Sequence, residues 1–173
     1  MSATNYFIRN SCTTTLFPQV CTQTLSDYTS SSGGALPHHS ERRIAKIGLS
    51  VSLIRTKTAY GLLNQSLSTL VSDDRERGII SDCVQEMKNS VYHLSKSIRQ
   101  LEKMGSAKNP AFAYRLGNIQ TWASAALTEV TTCVGGLEKS EVDVEFKSMF
   151  DEVTKVISNA LALVNQIVVP VLN

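Results

Sequence analysis

No apolar run in the 173-residue chain approaches the roughly 20 residues that a membrane-spanning helix needs. The opening MSATNYF also lacks the apolar stretch of a secretory signal, so the chain reads either as cytosolic or as secreted with its signal removed. An excess of charge is missing too. The 17 basic and 15 acidic residues leave a formal net charge of +2, with no polybasic block to neutralise phosphates, which speaks against nucleic acid as a partner. No Cys-x-x-Cys occurs and no histidine stands near a cysteine. His38 and His39 fall in a loop-like stretch and His93 is alone, so a zinc site is disfavoured. No glutamate has a histidine three residues on, which removes the di-metal carboxylate bundles. SSSGG lacks the lysine and the flanking strand and helix of a phosphate cradle, and reads as a flexible linker.

What the chain has instead is helical periodicity. At 42% hydrophobic it is long enough to bury a real core as one domain, residues 1–173. Residues 1 to 31 suit short helices and turns, with Pro18 between Cys12 and Cys21. From about residue 40 the pattern stays helical apart from breaks near SDDRERG, GSAKNP and GGLEKSEVD, which gives four long helices. The first, roughly 40 to 71, carries Ile44, Ile47, Val51, Ile54, Leu62, Leu67 and Leu70, interrupted by Gly48 and Gly61. The second carries Ile80, Val84, Met87, Val91, Leu94, Ile98 and Leu101 in alternating steps of four and three. The third repeats that rhythm with Phe112, Leu116, Ile119, Ala123, Ala126, Val130, Cys133 and Leu137. The fourth, roughly 142 to 168, shows Phe146, Met149, Val153, Val156, Ala160, Leu163 and Ile167 before Pro170. Gly105 suits a helix end and Pro110 the first turn of the next, so helices two and three are antiparallel neighbours. The expected fold is all-α, an up-down-up-down four-helix bundle.

In an antiparallel hairpin, residues at one level have numbers that add to a constant. The seams of helices two and three pair at a constant of 217, which puts Val84 level with Cys133 and brings Cys83 within reach of it. Cys83 is therefore paired with Cys133, which leaves Cys12 for Cys21. On a loop-entropy model the short loop contributes about 3 kcal/mol and the long one about 4 kcal/mol at the upper end. Two disulfides imply an oxidising compartment. They also leave no thiol for a Cys–His nucleophile, and His93, off both seam positions beside it, reads as a solvated surface histidine. The acidic clusters SDDRE and EKSEVDVE bracket helix starts and read as caps. Asn64-Gln65-Ser66 is an N-glycosylation sequon, consistent with secretion. Such a chain, with no cofactor and no metal expected, acts by binding rather than catalysis.

These residues resemble the plant invertase and pectin methylesterase inhibitors over essentially the whole chain. NSCTTTLFPQVC is similar to that family's N-terminal cysteine pair, DCVQEM to its third-cysteine segment, and TWASAALTEVTTC to its most specific stretch. The resemblance implies a secreted protein of the apoplast and cell wall, first-second and third-fourth disulfides, and an N-terminal helical hairpin. Residues 1–37 would then be hairpin and linker, and 38–173 the bundle. It also implies a partner, a carbohydrate-active enzyme whose cleft the bundle blocks. Invertase inhibitors insert a Pro-Lys-Phe motif from the loop before the third long helix. This chain has Asn109-Pro110-Ala111-Phe112 there, and an alanine cannot bring a cation into an acidic site, which favours plant pectin methylesterase as the partner. Alternatives are invertase inhibition, a pectinesterase pro-region, against which the ending VVPVLN shows no cleavage motif, and a small-ligand bundle, which needs a cavity in the seam.

For the pectin methylesterase reading, the outward residues of helices two and three are the expected contacts: Glu86, Asn89, His93 and Lys96 on helix two, and Thr121, Ser124, Thr128, Glu129 and Thr132 on helix three. Thr132 matches the threonine that precedes the family's fourth cysteine, and Glu129 sits nearer the seam edge. For the others a solvated helix face is the alternative. Carboxylates and a histidine at an interface titrate in a mildly acidic wall, so complex affinity is expected to vary between about pH 5 and 7.

Overall fold

The computed structural model describes residues 3–31, 40–69, 73–141 and 144–170. The SSSGG linker and the His38–His39 pair fall largely or wholly in 32–39, and Leu70 in 70–72, outside the described residues. Six helices run in order: α1 (Ala3–Cys12), α2 (Pro18–Ser31), α3 (Glu41–Thr69), α4 (Asp74–Glu102), α5 (Phe112–Leu137) and α6 (Val144–Asn165). The last four form an up-down-up-down bundle in which α4 packs on α5, α5 on α6, and α3 closes the ring between α6 and α4.

Helix boundaries follow local chemistry. Asp73 caps α4, its carboxylate accepting from the Glu76 amide at 2.8 Å, while Glu76 itself reaches across to accept from the Glu141 amide at 2.9 Å. At the other end Gly105 takes φ of 73°, which a side chain would oppose. Two guanidiniums close this end, Arg42 reaching the Leu101 carbonyl in the last turn of α4 at 3.3 Å and both covering carbonyls just past it. Arg42 donates to the Gly105 carbonyl at 2.6 Å and Arg115 to that of Lys103, cations at the negative end of the helix dipole. Pro110 lies in the turn ahead of α5 rather than in its first turn, because Asn109 forms that turn itself, its side-chain oxygen accepting from the Ala111 amide at 2.9 Å. The helices also run through segments the sequence marks as breaks. α4 already starts inside SDDRERG, and α5 passes Gly135 and Gly136 to Leu137. At the far end α6 stops at Asn165, five residues short of Pro170.

Core packing corrects three of the expected seams. On α5 the buried residues are the eight expected, Phe112 to Leu137. On α4, Cys83, Ser90 and Ser97 are buried where Val84, Val91 and Ile98 were expected, and those three lie half-buried beside them. The small side chains let α4 and α5 approach closely, and Ser90 Oγ donates to the Ala126 carbonyl at 3.0 Å, so the hairpin constant at that level is 216. On α3, Ile54 and Leu62 are 55% and 43% exposed. Ile44, Ile47 and Val51 are buried as expected, and the rest of the buried side is built from Ala45, Gly48, Leu49, Ser52, Thr56, Ala59, Leu63 and Ser66. Ser52 Oγ donates to the Gly48 carbonyl at 2.8 Å and lies 3.2 Å from that of Val156, so a hydroxyl can be buried without an orphaned donor. Gly48 does not interrupt α3 but packs it on α6, where a Cβ would sit 3.2 Å from Leu163 Cδ1. On α6, Phe150, Ile157 and Val164 join the core while Phe146 and Met149 stay half-buried, because this helix meets α3, α5 and the N-terminal segment at once.

The N-terminal segment is a helical hairpin tied by the Cys12–Cys21 disulfide, with a Cα separation of 5.7 Å. It lies on the bundle. Ile8 and Leu25 enter the core, and Asn159 of α6 clamps the turn through both ends of its amide, accepting from the Phe17 amide at 3.1 Å and donating to its carbonyl at 3.0 Å. Gln166 adds a bond to the Ser11 carbonyl at 2.8 Å.

Candidate partner-binding face

The outer face of the α4–α5 hairpin carries the expected contact residues in three groups and a row of hydroxyl residues along α5. At one end the Cys83–Cys133 disulfide, with Cα atoms 4.4 Å apart, floors a groove of about 730 Å³. Glu86 and Thr132 line it, together with Asp82, Gln85, Glu138 and Lys139, which gives the groove three carboxylates against one ammonium. Asn89 stands at its edge, accepting from Gln85 Nε2 at 3.0 Å.

Further along, His93 and Glu129 meet across the two helices, Nδ1 to Oε1 at 3.0 Å. His93 is not the solvated histidine expected from its position beside the seam. Its side chain is 25% exposed and that of Glu129 15%, because the hairpin register turns both toward the helix–helix cleft. Burial pushes the Glu129 carboxyl above the usual carboxylate range, His93 pulls it back in part, and Glu86 adds a smaller upward push.

The third group forms around the expected Lys96, and sequence reasoning missed its aromatic partners. Lys96 Nζ lies 4.1 Å from the centre of the Trp122 ring and 5.2 Å from that of Tyr92, a cation held between two aromatic faces. Tyr92 is itself 55% exposed and meets the His93 ring edge-on. The i,i+4 spacing of Tyr92 and Lys96, and the level rule that puts residue 96 level with 121 and so one residue from Trp122, were the available signals.

Thr121, Ser124 and Thr128 line the exposed side of α5, with Thr132 continuing the row into the groove. The hydroxyls of Thr121, Thr128 and Thr132 donate to the carbonyls of Gly117, Ser124 and Thr128, at 2.9, 3.1 and 2.8 Å. A hydroxyl has one proton, so what these threonines present outward is acceptor lone pairs and methyl groups. Such a row takes up amide, guanidinium or ammonium donors from a facing surface.

All four cysteines are held in disulfides, and among the described residues no three of His, Cys, Asp and Glu come together as metal ligands. Just after the loop ahead of α5, Phe112, the first residue of the helix, is only 3% exposed and faces the core.

Fold and face together define a disulfide-stapled helical bundle with an open, largely polar face on α4 and α5. The model of the plant invertase/pectin methylesterase inhibitor family matches residues 6–163, and the chain belongs to that family. It is 35% identical over 165 residues to a 21 kDa protein of Daucus carota, covering 93% of this chain and 83% of that one. It is also 35% identical over 171 residues to pectinesterase inhibitor 9 of Arabidopsis thaliana, covering 95% and 82%. Among solved structures, a mutant form of a pectin methylesterase inhibitor from Arabidopsis superposes with a TM-score of 0.70 at 18% identity, over 90% of this chain and 93% of that one, a likeness of fold.

Proposed function

We propose that this protein is a secreted inhibitor of plant pectin methylesterase, acting in the apoplast by laying the outer face of α4 and α5 across the enzyme's cleft. The inhibition is steric and reversible, with pectin excluded and no chemistry on the inhibitor. Glu86, Asn89, His93, Lys96, Thr121, Ser124, Thr128, Glu129 and Thr132 form the contact surface, with Thr132 at its centre of interest.

Two lines support the reading. Relatives that match nearly the whole chain are named pectinesterase inhibitors. The observation that carries the choice of target is the loop before α5. Ala111 stands between Pro110 and Phe112 where the Pro-Lys-Phe motif has its lysine, the loop's exposed Lys108 lies ahead of Pro110 instead, and Phe112 is buried, so the motif's cation and free ring are both missing from their places. Two dithiol–disulfide pairs fit an oxidising compartment, and no described helix is long and apolar enough to cross a membrane. The test is methanol release from pectin by a plant pectin methylesterase, titrated with the purified protein, beside sucrose cleavage by an acid invertase. Dose-dependent loss of the first alone is expected, and loss of the second alone would reverse the choice of target.

A further inference from the structure

Asn64-Gln65-Ser66 is a motif that inhibition leaves without a role, and it is the chain's only Asn-x-Ser/Thr triplet without an intervening proline. It lies near the end of α3, with Asn64 exposed. In a helix each Cα–Cβ bond tilts toward the N-terminus, so the Asn64 side chain leans over the preceding turn, which carries Tyr60 and Gly61. That turn has room for a bulky group. A Cβ built on Gly61 meets nothing within 4 Å, and Tyr60 is half-buried and packed on the core, so its ring offers a fixed apolar platform. Lys46, at the same angular position five turns earlier, pairs with Glu102 of α4, so this strip of α3 borders α4 on the side remote from α5.

Ser66 sets the order of events. It is 9% exposed, and its hydroxyl donates to the Leu62 carbonyl at 2.9 Å, so folded α3 hides the group an acceptor triplet must present. We infer that Asn64 is an N-glycosylation site, modified on the entering chain before α3 forms, and that the first sugar then rests over Tyr60 and Gly61. The donor is an oligosaccharide linked to a lipid diphosphate. A bond forms between Asn64 Nδ2 and the anomeric carbon, the bond from that carbon to the diphosphate oxygen breaks, the lipid diphosphate leaves and one amide proton goes to solvent. Nothing is oxidised or reduced. The inference rests on the secreted reading above, because the donor is met on that route.

The test separates the two. The full chain placed behind a secretory signal and expressed in plant cells enters the route whatever its native compartment. The secreted protein is expected to migrate slowly, to shift on treatment with a peptide-N-glycosidase active on plant glycans, and to yield an Asn64 peptide bearing the glycan. Asn64→Gln and Ser66→Ala abolish the shift, and Ser66→Thr keeps it. Secreted protein with unmodified Asn64, or a shift that survives Asn64→Gln, overturns the inference. Folded protein incubated with microsomal membranes is expected to stay unmodified, and its modification would overturn the proposed order. An N-acetyl resonance shifted by the Tyr60 ring, and lost in Tyr60→Ala, is expected, while an identical resonance in both removes the platform. Glycosylated protein in this system, with the native chain found only in cytosol, refutes secretion and supports the acceptor site.

Discussion

Replacing Asn159 by alanine should loosen the N-terminal hairpin from the bundle. Asn159 is 3% exposed, and its amide both accepts from the Phe17 N–H and donates to the Phe17 carbonyl. The carbonyl keeps a second partner, the Cys21 amide at 2.9 Å, so the substitution orphans mainly one donor. An unsatisfied donor costs about 1–3 kcal/mol and the second bond about 1 kcal/mol, which gives a loss of about 2–4 kcal/mol. For a chain of this size that is a fall in Tm of roughly 5–15 °C. Asn159→Asp should cost as much at neutral pH, since its carboxylate keeps the acceptor but turns negative charge on the Phe17 carbonyl. Calorimetry gives the magnitude and amide exchange the location, with α1 and α2 exchanging faster while α4 and α5 are unchanged. A loss below about 0.5 kcal/mol, the size of an ordinary surface substitution, would refute the clamp.

Opening the Cys83–Cys133 bridge by the double substitution to serine should lower stability by up to about 4 kcal/mol for a loop of this length, read from urea midpoints, and an unchanged midpoint would contradict its role. Gly48→Ala and Gly61→Ala should differ in sign. Both gain about 1 kcal/mol of helix propensity, but at Gly48 the added carbon meets Leu163 at 3.2 Å and the α6 backbone at 3.4 Å, an overpacking of about 1–3 kcal/mol, whereas Gly61 faces open space. Equal shifts in Tm would sink the close α3–α6 approach. Glu129 carries a raised pKa, so the folded state holds this proton more tightly than the unfolded chain. Its contribution is present at low pH and is lost as pH rises through the folded value. Glu129→Gln should therefore gain on the wild type as pH climbs from about 4 toward 7, and parallel stability profiles would remove that cost.

How much was legible depended on what each helix uses to pack. The seam of α5 is apolar throughout, so periodicity alone placed all eight buried residues. On α4, serine and cysteine occupy alternate core positions, and a pattern keyed to large apolar residues slides one place onto Val84, Val91 and Ile98. α3 hides its packing side in glycine, alanine and hydroxyl residues whose burial depends on hydrogen bonds to Gly48 and Val156, which no periodicity reports. On the candidate face, the outward position of Thr121, Ser124 and Thr128 followed from their being off the seam. The His93–Glu129 pair and the Trp122–Lys96 contact depend on interhelical register to within a residue, and the expected constant of 217 was one too high near Ser90.

The central claim is that the α4–α5 face closes the cleft of a pectin methylesterase. It is tested most directly by titrating that enzyme with the wild-type protein and with Thr128→Lys and Thr132→Lys, after circular dichroism shows all three folded. Both threonines are exposed, so stability should change by less than about 0.5 kcal/mol, and neither lysine should disturb the bundle. The account predicts that wild type abolishes methanol release in proportion to its concentration, and that either lysine raises the concentration needed at least tenfold. Full inhibition by both variants at wild-type concentrations would contradict the face, and no inhibition by wild type would contradict the function.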